Sequence, residues 1–123
     1  MRLDLKDNKK LIGFSFAWNG LKELIKSERN FKIHLLVAML TIFAGFYFDL
    51  LLMEWAILIL VIGLVLITEM INSAIEKMID YLKPEIHPSA KIIKDIAAGA
   101  VLLSAIISVI IGLILFLPKI IML

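Results

Sequence analysis

From Ile96 to Leu117 the chain runs for 22 residues without a charged side chain, and then meets Pro118. A helix needs about 20 mostly apolar residues to cross the hydrocarbon core of a bilayer. This one segment therefore commits the chain to a membrane. Two further segments are long enough to follow it. Ile33–Met53 is interrupted only by His34 near its start and Asp49 near its end. The other begins at Trp55, stays apolar to Thr68, and continues as a helix through Glu69, Asn72 and Glu76 towards Leu82.

The rest of the composition agrees. Of 123 residues 62% are hydrophobic, against about 45–50% in a soluble domain. Charged residues make up 20% and are gathered in blocks rather than scattered. That length allows one domain at most, residues 1–123. With no cysteine, neither a disulfide framework nor a thiolate metal site is possible. A net charge of +2 is too small to argue for nucleic acid. Met1–Lys10 is polar and charged, and does not read as a cleavable signal peptide.

Ahead of the spans, Leu11, Phe14, Trp18, Leu21 and Ile25 fall on one helical face, with Ser15, Asn19, Lys22 and Lys26 on another. Ile12 and Phe16 spoil the polar side. A short helix over about residues 10–28, lying in the interface or packed on the bundle, fits better than a fourth span. The fold class expected is an all-α membrane protein, with three transmembrane helices (33–53, 55–82, 96–117) and an N-terminal amphipathic surface helix.

Orientation follows from the basic residues, which favour the cytoplasmic side. Eight of the thirteen Lys and Arg precede the first span, from Arg2 to Lys32. Four more (Lys77, Lys83, Lys91, Lys94) lie between spans two and three, and only Lys119 follows the third. The short loop between spans one and two has none. The N-terminus and second loop are therefore expected in the cytoplasm, and the C-terminus outside.

The second span ends in a stretch that hydropathy does not explain. At 100° per residue, Glu69, Glu76 and Asp80 lie within about 40° of one another, flanked by Asn72 and Ser73. With Trp55 at the outer boundary, Glu69 lies about 21 Å down the helix, inside a hydrocarbon core about 30 Å thick. Glu76 lies about 10 Å further on, near the cytoplasmic interface. An ionisable group at membrane depth costs on the order of 2.5–3.5 kcal/mol and marks a functional site by default. The competing reading is a polar clasp between helices, or a helix that leaves the membrane at Glu69. Against it, three acids on one face repel unless cations neutralise them. Three thin helices could hardly sequester Glu69 from lipid, so an oligomer is physically sensible.

Glu28, just before the first span, and Lys94-Asp95, just before the third, belong to the same interface. Each alone has an ordinary explanation: a solvated acid, a positive-inside lysine, a helix cap. Together, four or five acids and a lysine are what Mg–nucleotide chemistry requires, with carboxylates for the cation and a lysine for phosphate charge. Neither GxxxxGK[ST] nor GxGxxG occurs, so a nucleotide would be held through its metal and side chains. His87, with no second histidine nearby, reads as a loop residue. His34 reads as a structural polar group at the start of span one.

The sequence Glu69-x-x-Asn72-Ser73-Ala74-Ile75-Glu76-x-x-x-Asp80, then Lys94-Asp95 and Ala97-Ala98-Gly99-Ala100-Val101, resembles the prokaryotic diacylglycerol kinase family of integral membrane lipid kinases. The resemblance runs from about Phe14 to Pro118. It implies a homotrimer in the bacterial plasma membrane, with active sites between neighbouring chains near the cytoplasmic surface. It also implies transfer of the γ-phosphate of ATP to a lipid hydroxyl. By the same resemblance Glu69 is the general base, and Glu28 with Glu76 holds Mg²⁺ on the ATP phosphates. Asn72, Asp80, Lys94 and Asp95 are nucleotide-site residues, with His87 lining the adenosine end. Ser27-Glu28-Arg29-Asn30-Phe31, His34, Glu54-Trp55 and the tail Ile111–Pro118 are similar to the Gram-positive branch, which implies undecaprenol as the lipid, with a diacylglycerol kinase making phosphatidic acid as the alternative.

A small ion or drug transporter, with Glu69 as coupling carboxylate, would explain one intramembrane acid. It would not explain why Glu28, Glu76, Asp80 and Lys94-Asp95 crowd one interface. A purely structural scaffold would leave Glu69→Gln silent.

Overall fold

A computed structural model describes residues 2–82 and 87–123, with side chains from Ile12 onward. Leu11 and Lys83, invoked above for the apolar face and the basic loop, lie outside the described side chains. The described residues form helices α1 (Arg2–Ser27), α2 (Arg29–Tyr47), α3 (Leu52–Leu82) and α4 (Pro88–Ile121). Three of them, α2, α3 and α4, are long and apolar enough to cross a membrane.

Glu28 separates α1 from α2 by adopting an extended conformation at the N-cap of α2. Its side chain makes no capping bond, which leaves the carboxylate available elsewhere. α1 starts at Arg2, ahead of the expected start near Lys10. Of its described side chains, Leu24 is buried while Phe14, Phe16 and Trp18 are exposed.

α2 ends at Tyr47, whereas the apolar run to Met53 suggested one unbroken helix. Asp49 takes a left-handed backbone conformation (φ 52°). Asp49 N–H then bonds Phe46 O, and Leu50 N–H bonds Gly45 O at 3.1 Å. This paired closure is a Schellman motif, in which Asp occupies the position that usually favours glycine. α3 restarts at once. Glu54 reaches back to accept a bond from Leu51 N–H at 2.9 Å, which satisfies a donor left over at the helix start. Gly45 permits the turn to close: a Cβ there would stand 2.6 Å from the Trp55 ring and 3.1 Å from Leu50.

α3 and α4 form an antiparallel hairpin tied at three levels. Lys119 pairs with Glu54 at 3.1 Å at the outer end. The hydroxyls of Thr68 and Ser104 meet at 2.9 Å in the middle, and Lys94 pairs with Asp80 at the inner end. Along α4 the buried positions are Ala97, Ser104 and Leu115, two of them small, which lets the backbones approach closely. Pro118 does not stop α4, as its sequence suggested, but sits inside its last turn. There the missing N–H removes only one helical hydrogen bond near a frayed end.

The apolar core (Leu50, Leu58 and Leu115, with Trp55 and Phe116 against it) lies at the outer end of the bundle. The buried polar residues lie further in, at Glu69, Ser73 and Ser104. Most large apolar side chains face outward, as they must where lipid or another chain replaces water.

Candidate active site

The inner ends of α2, α3 and α4 bring the candidate residues together. Glu69 is 5% exposed within this single chain. Three helices therefore do sequester it, where three thin helices alone were expected to fall short. Its partner is His34, whose Nε2 lies 3.0 Å from Glu69 Oε1. The sequence assigned His34 a merely structural place. The signal was present in the spacing. His34 lies six residues beyond Glu28 along α2, and Glu69 seven residues before Glu76 on α3. In antiparallel helices rising 1.5 Å per residue, those offsets reach the same depth.

Towards the α1–α2 junction, Glu28 lies 3.6 Å from Lys77 Nζ. Lys77 also approaches Ser27 Oγ at 3.5 Å. Lys77 was not among the expected site residues, but it fixes the α1–α2 junction against α3. Glu76 accepts a bond from Asn72 Nδ2 at 3.3 Å, one helical turn away. Among the described residues, Glu28, Glu69, Asp80 and Asp95 each have a cationic or imidazole partner, and Glu76 has a neutral one.

Asp80 and Lys94 pair across the hairpin mouth, while Asp95 pairs with Lys91 at 2.7 Å, one turn back on α4. His87 is the N-cap of α4, its Nδ1 accepting from Ser89 N–H at 3.1 Å ahead of Pro88. Capping was not anticipated for it. A histidine in extended conformation before a proline can do what Ser or Asp does at other helix starts.

Among the described residues no three His, Asp or Glu side chains converge on one point. Mg²⁺ does not require that, being held by one or two carboxylates together with substrate phosphates and water. The donor set fits such an ion. Among the described residues Glu76 lacks a counter-charge, and Asn72 Oδ1, one turn away on the same helix, is a buried acceptor with no partner. All are hard oxygen ligands.

Outward from His34 an apolar cleft of about 260 Å³ runs between α2, α3 and α4. Its lining has three polar side chains: His34, Thr41 and Ser108. Each is already engaged. Thr41 donates to Val37 O at 2.7 Å and Ser108 to Ala105 O at 2.7 Å, and His34 faces Glu69. The cleft therefore offers a hydrocarbon chain contact surface and offers an ester carbonyl no uncommitted hydroxyl donor.

The family model for prokaryotic diacylglycerol kinase matches residues 15–116. The chain is similar to an undecaprenol kinase of Bacillus subtilis, 41% identical over 122 residues, or 95% of this chain and 99% of that protein. It is also 41% identical to a diacylglycerol kinase of Synechocystis, over 88% of this chain and 62% of that protein. To a diacylglycerol kinase of Escherichia coli K12 it is 31% identical, over 77% of this chain and 78% of that protein. The chain belongs to the prokaryotic diacylglycerol kinase family.

Proposed function

We propose that this protein is an undecaprenol kinase, transferring the γ-phosphate of Mg–ATP to the lipid hydroxyl at the cytoplasmic face of a bacterial plasma membrane. The observation that carries this reading is the placement of buried Glu69 against His34, the residue at one end of the lining of an apolar cleft. Two helical turns further along α3 stands Glu76, which lacks a counter-charge among the described residues. One carboxylate is at lipid depth and the other at nucleotide depth.

Glu69 takes the proton of the lipid hydroxyl. The lipid oxygen then forms its bond to the γ-phosphorus, and the bond from that phosphorus to the bridging oxygen breaks, ADP leaving with the electron pair. Glu28, Glu76 and the oxygen of Asn72 are the residues that would hold Mg²⁺, which supplies charge neutralisation to the phosphates. Lys94, drawn from Asp80, neutralises phosphate charge. Asp80 and Asp95 position the cations around the nucleotide, and His87 sits where the adenosine end would lie.

The cleft favours a polyprenol over a diglyceride. Burying an ester carbonyl with no donor costs about 1–3 kcal/mol, and a diglyceride carries two. An isoprenoid alcohol carries none. The similarity to the Bacillus subtilis undecaprenol kinase along nearly the whole chain supports the same substrate. In this reading the N-terminus is cytoplasmic and α1 lies in the interface, with Phe14 and Trp18 in the headgroup region. The chain works as a homotrimer. Its exposed apolar helix faces offer ample surface for such packing.

The test is γ-phosphate transfer to lipid in mixed micelles with and without Mg²⁺. Transfer that requires Mg²⁺ and falls in Glu76→Gln supports the reading. Transfer indifferent to both would refute it.

A further inference from the structure

Across the interior of the three long helices the chain carries two titratable side chains. Between Lys32 and Tyr47 of α2 there is His34, and between Glu54 and Glu76 of α3 there is Glu69. α4 has none between Asp95 and Lys119. These two groups meet at 3.0 Å, with side chains 28% and 6% exposed. We propose that His34 is the positioning residue for Glu69, its Nε2 donating a hydrogen bond to Oε1 so that Oε2 is held towards the lipid hydroxyl. The proposal rests on the reading of Glu69 as the base.

Three observations carry it. His34 approaches one of the two Glu69 oxygens, Oε1, which leaves the second oxygen for substrate. His34 also lines the inner end of the apolar cleft. The side chain that orients the base is thus also the one that a lipid lying in the cleft reaches last. Finally, the link joins α2 to α3, so the base is oriented by a helix other than its own. A misplacement of about 1 Å in a reacting group can cost 10²-fold in rate, so a fixed carboxylate is worth a dedicated partner. A stabilising clasp with no catalytic consequence is the competing account.

The experiment compares His34→Ala, His34→Gln and Glu69→Gln, assayed per folded enzyme for kcat and for KM towards Mg–ATP and lipid. His34→Met, close in size and without a donor, replaces the alanine variant if that one does not fold. We expect His34→Ala to lower kcat about 10²-fold with KM for Mg–ATP unchanged. His34→Gln keeps an N–H donor and should stay within about fivefold of the parent, because the bond to Oε1 can re-form. Equal losses in Ala and Gln variants would overturn the proposal. So would an unchanged kcat in His34→Ala, or a loss confined to lipid KM. Full turnover in Glu69→Gln is a separate outcome: it removes the base assignment itself, whatever the His34 variants do.

Discussion

Asp80 accepts a hydrogen bond from Lys94 Nζ across the mouth of the α3–α4 hairpin, where both belong to the proposed nucleotide site. The pair is open to solvent, with the Asp80 side chain 64% exposed. Exposed ion pairs contribute only about 0–1 kcal/mol to stability. In the proposed nucleotide site its weight lies in chemistry, with Asp80 holding the ammonium where a phosphate would claim it.

Lys94→Met should therefore leave the melting temperature within a few degrees while lowering kcat/KM for ATP at least about 10²-fold, given the work a phosphate-bound lysine does. Thermal unfolding in detergent beside steady-state kinetics checks both halves. A large loss of stability with kinetics intact would make the pair structural.

Glu69 and Glu76 should separate kinetically. Glu69→Gln removes the proton acceptor and should lower kcat about 10²–10⁴-fold, with KM for Mg–ATP little changed. Glu76→Gln keeps the size of the side chain but removes its charge. It should raise the Mg²⁺ concentration needed for half-maximal rate about tenfold or more, since fewer charged ligands weaken the site. Magnesium titrations of both variants decide the matter, and chelation should abolish transfer in the parent enzyme.

Much of this is legible in the amino-acid sequence alone. The spans follow from apolar run length alone. The carboxylate stripe follows from the 100° repeat, because Glu69, Glu76 and Asp80 lie on one helix. What could not be read directly were relations between helices. His34 and Glu69 are neighbours only once α2 and α3 are packed antiparallel, and Lys77 joins Glu28 by the same packing. Local backbone choices also escaped. Asp49 in a left-handed conformation ends α2 although the hydropathy continues, and Pro118 is tolerated because it falls in a terminal turn. The role of His87 as a cap depends on its backbone angles, which composition does not reveal.

Gly45 gives a prediction independent of catalysis. An added Cβ would meet the Trp55 ring at 2.6 Å, and that ring already packs against Phe46 with centroids 4.8 Å apart. Gly45→Ala should destabilise the protein by about 1–3 kcal/mol, as overpacking does. Turnover per folded molecule should be unchanged, because the site lies at the opposite end of the bundle. Unfolding curves with activity normalised to folded protein test this.

The most direct measurement is transfer of label from γ-labelled ATP by purified protein in mixed micelles, offered undecaprenol and diacylglycerol in parallel. Label is expected chiefly in undecaprenyl phosphate, since the cleft at His34 presents no uncommitted hydroxyl donor for ester carbonyls. Label chiefly in phosphatidic acid would contradict the substrate assignment while leaving the phosphotransfer chemistry. No label in either lipid from folded protein would contradict the account as a whole.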